Sequence, residues 1–347
     1  MTDQVHFEVF GNLGVITLNR PKALNALTTE MCAAITKTML AWEEDTRIGA
    51  VLVQGAGDRA FCAGGDIIML HDSGKARDGR AEEFWRVEYA LNDLIYRYKK
   101  PYISLIDGIV MGGGVGLSVH GRYRIAGDNT LFAMPETGIG YFPDVGGTYF
   151  LPRLGKAIGN WLGMTGARLK TAQTYALGIA NAYIPTERHG DVITALSKAQ
   201  LDGSDIAVLN ILETLVQAPP KFEALPSVIE AFAKDTPAEI LRALHADDSE
   251  WAQKQASLLH SKSPLAVCIT FEALRQGAHL NFRDAMCQEL GISLAFMTTQ
   301  DFYEGVRAAV IDKDRNPKWS SESLEAVNLS EIERHFIVAK KPLMFLD

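Results

Sequence analysis

Glu136 and Asp144 stand eight residues apart in the stretch FAMPETGIGYFPDVGGTYFLPRLG, residues 132–155. The stretch is otherwise apolar or rich in glycine, and its first basic residue is Arg153. Carboxylates in such surroundings either point to water or do chemistry. Two carboxyl groups held close together in an apolar pocket resist double ionisation, so one of them keeps a proton near neutral pH. That suits a general base, a nucleophile or a proton shuttle. Two more glycine-bearing segments, AFCAGGDI (60–67) and MGGGVGL (111–117), fall at the ends of predicted strands. A Gly-Gly-Gly run that opens a helix leaves unpaired N–H groups at the positive end of the helix dipole, which suits an anion or a developing oxyanion. GGGVG lacks the G-x-G-x-x-G spacing of a dinucleotide loop, and no Gly-Lys-Ser/Thr occurs.

The elements that must position these groups follow from periodicity. VHFEVFGNLGVITLNRP reads as a hairpin, with Val5, Phe7 and Val9 alternating before a GNLG turn. A helix follows from Thr28, its predicted N-cap, with Met31, Ile35, Met39 and Trp42 on one face. GAVLVQGAG is a short buried strand. A second amphipathic helix carries Phe84, Val87, Leu91, Leu94, Ile95 and Tyr98 and ends at Pro101. YISLIDG, YRIAG and TLFAM add strands. Strands and helices alternate with glycines at the strand ends, which is an α/β arrangement with its ligand loops at one end of the strands. Past about residue 198 the chain reads as mostly helical, as a cap or an oligomer-forming arm.

The bulk composition excludes several classes. The 347 residues are 47% hydrophobic, enough for a large core. The formal net charge of −8, with no basic tract, argues against nucleic acid as a partner. No stretch of about 18 apolar residues occurs, so no membrane partner is expected. The opening MTDQVHFEVFG has neither the basic nor the apolar region of a signal peptide. Cys32, Cys62, Cys268 and Cys287 form no CxxC pair and no metal-ligand spacing with the histidines. They are expected to be reduced thiols in a cytoplasmic protein without a metal site.

LNRPKALNAL (18–27), AFCAGGDI, KPYISLIDGIVMGGGVGLS and MPETGIGYFPDVGGTYFLPRLG together resemble the crotonase, or enoyl-CoA hydratase/isomerase, superfamily. The resemblance spans roughly the first 190 residues in order. It implies a crotonase-like spiral of ββα units; with the change of character near 198, that core is expected over residues 1–198 and a mostly helical region over 199–347. It also implies a coenzyme A thioester as substrate, with coenzyme A part of that substrate and no separate cofactor. The oxyanion hole would be the backbone N–H groups of Gly65 and Gly113. Hydratases of the superfamily use two glutamates. The first of those places is held here by Gly116, and the second by Glu136. Asp144 stands where hydratases usually carry glycine.

The pattern around Glu136 and Asp144, with EFWRVEYALN upstream and DFYEGVRAAVIDKDRNPKW (301–319) downstream, looks like the branch that hydrolyses 3-hydroxyisobutyryl-CoA in valine breakdown. Glu136 and Asp144 would then be catalytic. Glu88 would accept a hydrogen bond from the acyl hydroxyl, against the plain alternative of a solvated helix glutamate. Arg20, Lys22 and Ala23 match the segment lining the adenosine end, where a basic side chain could pair with a phosphate, against the plain alternative of solvated charges after a strand. Asp66 and Ile67 would help frame the adenine through backbone groups, and Ala63 would also contact the substrate. Lys313 and Arg315 read equally as phosphate contacts or solvated charges. His120 and Cys62 read as packing residues. An isomerase or hydratase of the same superfamily, and a coenzyme A-binding protein without catalysis, are the competing readings. 3-Hydroxypropionyl-CoA is a near neighbour as substrate, since one methyl in an apolar pocket discriminates by only about 1–3 kcal/mol. Homo-oligomerisation is left open.

Overall fold

The computed structural model describes residues 3–346. Ten strands are β1 (Val5–Phe10), β2 (Leu13–Leu18), β3 (Ala50–Gly55), β4 (Ala60–Cys62), β5 (Tyr102–Ile106), β6 (Ile109–Met111), β7 (Tyr123–Ala126), β8 (Leu131–Ala133), β9 (Leu169–Lys170) and β10 (Ala182–Tyr183). The helices of the first half are α1 (Thr29–Glu44), α2 (Ile67–Ala76), α3 (Arg80–Tyr96), α4 (Gly113–Gly116), α5 (Gly147–Phe150), α6 (Lys156–Thr165), α7 (Thr171–Ala176) and α8 (His189–Lys198). Beyond them the chain is helical, with α9 (Asp205–Leu212), α10 (Pro237–His245), α11 (Glu250–His260), α12 (Pro264–Gly277), α13 (Phe282–Phe296), α14 (Gln300–Val306) and α15 (Leu329–His335).

The strands form two sheets. The larger runs β1-β2-β3-β5-β7-β10 and the smaller β4-β6-β8-β9. Each turn of the chain lays one strand in the large sheet, the next in the small sheet, and then crosses back: β3 to β4, β5 to β6, β7 to β8. This is the ββα spiral that the resemblance implied. Its consequence is geometric. β4, β6 and β8 are adjacent and parallel, so the loops leaving their C-terminal ends lie side by side. Those loops carry Gly65, Gly113 and Glu136.

Local chemistry sets the ends of the elements. Thr28 caps α1, its hydroxyl accepting from the Met31 N–H at 3.2 Å, and Met31, Ile35, Met39 and Trp42 are buried. The hairpin forms as expected, but its inward alternation fades. Val5 is buried, whereas Val9 is 51% and Phe10 41% exposed. β1 is an edge strand, and only its first residues find a covering element. A continuous apolar core joins the sheets to α1, α3 and α6 and to α10–α13, drawing side chains from Val5 to Leu343. A smaller core lies under α8 and α9 against the other face of the large sheet, including Val15, Leu52, Ile125, Leu196 and Val208. No helix among the described residues is long and apolar enough to cross a membrane.

Gly114 is the tightest joint between α4 and the small sheet: a β-carbon there would lie 2.2 Å from the Cys62 carbonyl oxygen. Backbone cannot yield as a side chain does, so Gly114→Ala is expected to destabilise the fold by about 1–3 kcal/mol. An unchanged urea midpoint would contradict this packing.

Candidate active site

The two glycine loops face one another. A β-carbon on Gly112 would sit 3.2 Å from the Gly64 Cα, and one on Gly113 would sit 3.3 Å from the Gly64 carbonyl carbon. Gly112 has φ 48° and ψ −120°, a combination closed to residues with a side chain, and it turns the chain from β6 straight into α4. Neither the Gly65 nor the Gly113 N–H donates to a protein acceptor among the described residues. Gly65 also admits no side chain, because a β-carbon would meet the Phe84 ring at 2.8 Å. Both predicted oxyanion donors are therefore free and on adjacent loops.

They line a cavity of about 200 Å³ together with Ala63, Ile67, Glu88, Glu136 and Asp144. Glu136 begins a single helical turn just after β8 and is 7% exposed. Its Oε2 has no hydrogen-bond partner. Glu88, on α3, is 2% exposed, so it is no solvated helix residue. Its Oε1 is also unpartnered, and it lies 2.6 Å from where a β-carbon of Gly113 would be. Asp144 is the best satisfied of the three. Its Oδ2 accepts from the Tyr89 hydroxyl at 2.7 Å and from Tyr141 at 3.2 Å.

Burial dominates the electrostatics. It pushes Asp144 up to about 6, with Tyr89 and Tyr141 holding it down. Glu136 is raised well above the usual carboxylate range by burial and then by the charge of Asp144. Glu88 is raised by burial, then by Asp144 and Glu289. Glu289, on α13, is pushed up to about 8 by burial, against the hydrogen bonds it accepts from Thr148 and Gly146.

The remaining predicted residues fall into two groups. Ala63 and Ile67 line the cavity, and Ala63 N–H donates to the Leu24 carbonyl at 3.0 Å, tying this loop to the turn that carries Lys22 and Ala23. Lys22 and Ala23 are exposed, outside the cavity lining. Asp66 caps α2 through the Met69 N–H and pairs with Arg20 at 3.2 Å. The Arg20 guanidinium, expected at a phosphate, is thus held by Asp66 and by the Ala26 carbonyl. Lys313 and Arg315 are exposed beyond α14 and outside the lining. His120 is a packing residue: its Nε2–H donates to the Val145 carbonyl at 2.7 Å, and burial pushes it down to about 4. Cys62 is buried, and all four cysteines are free. A larger cleft of about 710 Å³ between α2, α3 and α14 holds none of these carboxylates. Among the described residues, no group of three or more His, Cys, Asp or Glu side chains could hold a metal ion.

Sequence reasoning missed Tyr89, Asn92, Tyr141, Glu289 and Ser293. Asn92 is fully buried with neither end of its amide partnered. A signal did exist for Glu289 and Ser293. With Phe282, Met286 and Phe296 they recur every three or four residues, on the buried stripe of α13.

Known proteins resemble this chain over nearly its whole length. A family model described as enoyl-CoA hydratase/isomerase matches residues 13–336. A Danio rerio protein named 3-hydroxyisobutyryl-CoA hydrolase, mitochondrial, is 42% identical over 344 residues, covering 96% of this chain and 89% of its own. The Homo sapiens protein of that name is 40% identical over 341 residues, covering 96% and 88%. Among solved structures, one titled a carnitinyl-CoA dehydratase from Mycobacterium thermoresistibile superposes with a TM-score of 0.91 at 39% identity, covering 99% of each chain. Another, titled an enoyl-CoA hydratase from Rhodobacter sphaeroides 2.4.1, gives 0.87 at 38% identity, covering 99% of this chain and 100% of its own.

A carboxyl raised on folding keeps its proton longer in the native state. Its contribution to stability is full below the unfolded value and is lost as pH rises through the folded one. For Asp144, raised to about 6, that loss falls between about pH 4 and pH 6. Asp144→Asn removes the titrating group. The stability difference between variant and wild type is therefore expected to move toward the variant over that range, by on the order of 3 kcal/mol at most. Urea unfolding at a series of pH values reads this directly, and a gap independent of pH would contradict it.

Proposed function

The chain belongs to the enoyl-CoA hydratase/isomerase family, and from that premise we propose that it hydrolyses 3-hydroxyisobutyryl-CoA to 3-hydroxyisobutyrate and coenzyme A. The curated relatives carry that activity in their names, while the two solved structures are titled as a dehydratase and a hydratase. One observation carries the choice between them. Gly116 occupies the place of the first hydratase glutamate, and a β-carbon there would lie 2.8 Å from both the Val145 Cβ and the Asn92 amide nitrogen. That space is filled, so a second glutamate for adding water across a double bond has no room.

In this reading the thioester carbonyl oxygen lies against the N–H groups of Gly65 and Gly113. Attack on the carbonyl carbon gives a tetrahedral oxyanion, and losing one such donor typically costs about 10²–10³ in rate. Glu136 acts from the other side. Its place in the lining of the same cavity as Gly65 and Gly113, with one carboxyl oxygen unpartnered, supports a role at the reacting carbon. It either takes a proton from the attacking water, or attacks to form a mixed anhydride that water then opens. The C–S bond breaks, and the sulfur leaves as a thiolate of good leaving ability that takes up a proton. Asp144 orients the water or carries its proton, with Tyr89 and Tyr141 fixing the carboxylate. Glu88, its free Oε1 beside Gly113, takes the acyl hydroxyl. Ala63 and Ile67 frame the thioester arm, while Lys22, Ala23 and Asp66 belong to the surface beyond it. The compartment is likewise a proposal. Four free thiols suit a reducing one such as the cytoplasm, whereas the relatives' names place those proteins in mitochondria.

A thiol reagent reads the reaction. Wild-type protein is expected to release free thiol from 3-hydroxyisobutyryl-CoA. Glu136→Gln should lower that rate by about 10²–10⁴-fold while coenzyme A binding persists. An acyl chain altered without thiol release would favour the isomerase or hydratase reading, and binding without turnover a carrier. In single turnover in ¹⁸O-water, label in Glu136 identifies the anhydride route with water opening it at the Glu136 carbonyl, since the general-base route puts the label in the product acid alone.

A further inference from the structure

Glu289 lies outside the cavity lining, on a helix of the C-terminal half, yet it is fully buried beside the catalytic carboxylates. Its Oε2 accepts from the Gly146 N–H at 2.7 Å. Its Oε1 accepts from the Thr148 N–H at 3.0 Å and from the Thr148 hydroxyl at 2.6 Å. These donors belong to the turn that begins at Asp144. The turn is held in an unfavourable conformation. Val145, a β-branched residue, has φ 53°, in the left-handed region, and Gly146 follows at φ 82°. Such a backbone persists only where its surroundings over-determine it. The restraints are the Glu289 fork, the His120 bond to the Val145 carbonyl, and the Gly147 N–H bond to the Asp144 carbonyl at 2.8 Å.

The same helix also reaches the side chain of Asp144. Ser293, one turn beyond Glu289, donates to the Glu289 carbonyl at 2.8 Å and accepts from Tyr141 at 2.7 Å. Its oxygen is 2.8 Å from the Tyr89 hydroxyl. These are the two tyrosines that bond the Asp144 carboxylate.

We infer that Glu289 is a positioning residue for the reaction: its carboxylate clamps the 144–148 turn and so sets where Asp144 meets the attacking water. This rests on the hydrolytic role given to Asp144 above. The chemistry of the fork explains why a carboxylate is needed. All three groups aimed at it are donors, and their hydrogen bonds favour the ionised, acceptor-only carboxylate against the burial that raises it to about 8. A glutamine of equal volume would turn an NH2 against the Gly146 N–H or against Thr148, whichever way its amide faced. A residue that merely filled space would tolerate that exchange.

The test compares Glu289→Gln, Thr148→Val, Asp144→Asn and the double variant of 289 and 144, all in the full chain, by kcat and KM for thiol release and by melting temperature. Misplacing a reacting group by about 1 Å can cost on the order of 10²-fold. Glu289→Gln is expected to lower kcat by roughly 10–10²-fold with KM little changed. The double variant should be no slower than Asp144→Asn alone, because the clamp has nothing left to position. Thr148→Val, which removes one donor and leaves Glu289 in place, should show a smaller loss in kcat at a wild-type KM. Wild-type kcat in Glu289→Gln beside a slow Asp144→Asn overturns this inference alone, as do losses that multiply in the double variant. If Glu289→Gln fails to fold, Thr148→Val decides, and a wild-type kcat there overturns the clamp. A wild-type rate in Asp144→Asn overturns the role of Asp144 itself, and this inference with it.

Discussion

Glu88, Glu136, Asp144 and Glu289 are all buried, and among the described residues none of them is in an ion pair. Asp144 is the hub, since its charge raises each of the other three. Taking a carboxylate out of water is costly, and a group in that position either finds donors or keeps its proton. The molecule uses both answers. Asp144 and Glu289 are met by hydroxyl and backbone donors, while Glu88 and Glu136, which line the cavity, each keep one buried oxygen without a partner. Glu289, bonded through both oxygens, and Asp144, bonded through Oδ2, form a frame, while Glu88 and Glu136 keep unused hydrogen-bonding capacity. Burial that costs stability is thus also what raises the basicity of the reacting groups.

The frame exists because of how the chain winds. Alternating each strand pair between two sheets brings β4, β6 and β8 side by side although some fifty residues of sequence separate the first from the second. Each strand needs only to end in a loop for the site to assemble: two glycine loops supply N–H groups, and the third supplies Glu136. The fourth corner, Asp144, does not sit at a strand end. It depends on a turn with Val145 in the left-handed region, a strain on the order of 1–2 kcal/mol. Contacts from α13 and His120 hold that turn in place.

The same turn bears on which reaction the fold runs. Val145 fills the space over Gly116. The residue that follows Asp144 therefore closes the position from which a second glutamate would serve hydration. A solved structure titled a dehydratase shares this backbone to a TM-score of 0.91, while a relative of similar identity is named a hydrolase; a common scaffold hosts different chemistry through a few side chains.

Much of this was legible in the chain itself. Period-two and period-3.6 patterns placed β1, β2, α1 and α3, since burial on one face imposes those periods. Consecutive glycines marked Gly65 and Gly113, because only glycine tolerates such close approach, and Glu136 and Asp144 stood out as acids in apolar surroundings. Local pattern overestimated β1, whose outer half finds no covering element, and it gave no sign that Asp66 pairs with Arg20. Glu289 and Ser293 carried only a helical spacing. Their meaning required α13 to dock beside a loop more than a hundred residues earlier, and a contact of that range leaves no mark in the sequence around either partner. Sequence determined which groups could react, because reactivity belongs to side-chain type and near neighbours. Tertiary structure decided which of them are buried together and what holds them there, because packing acts between residues far apart in the chain.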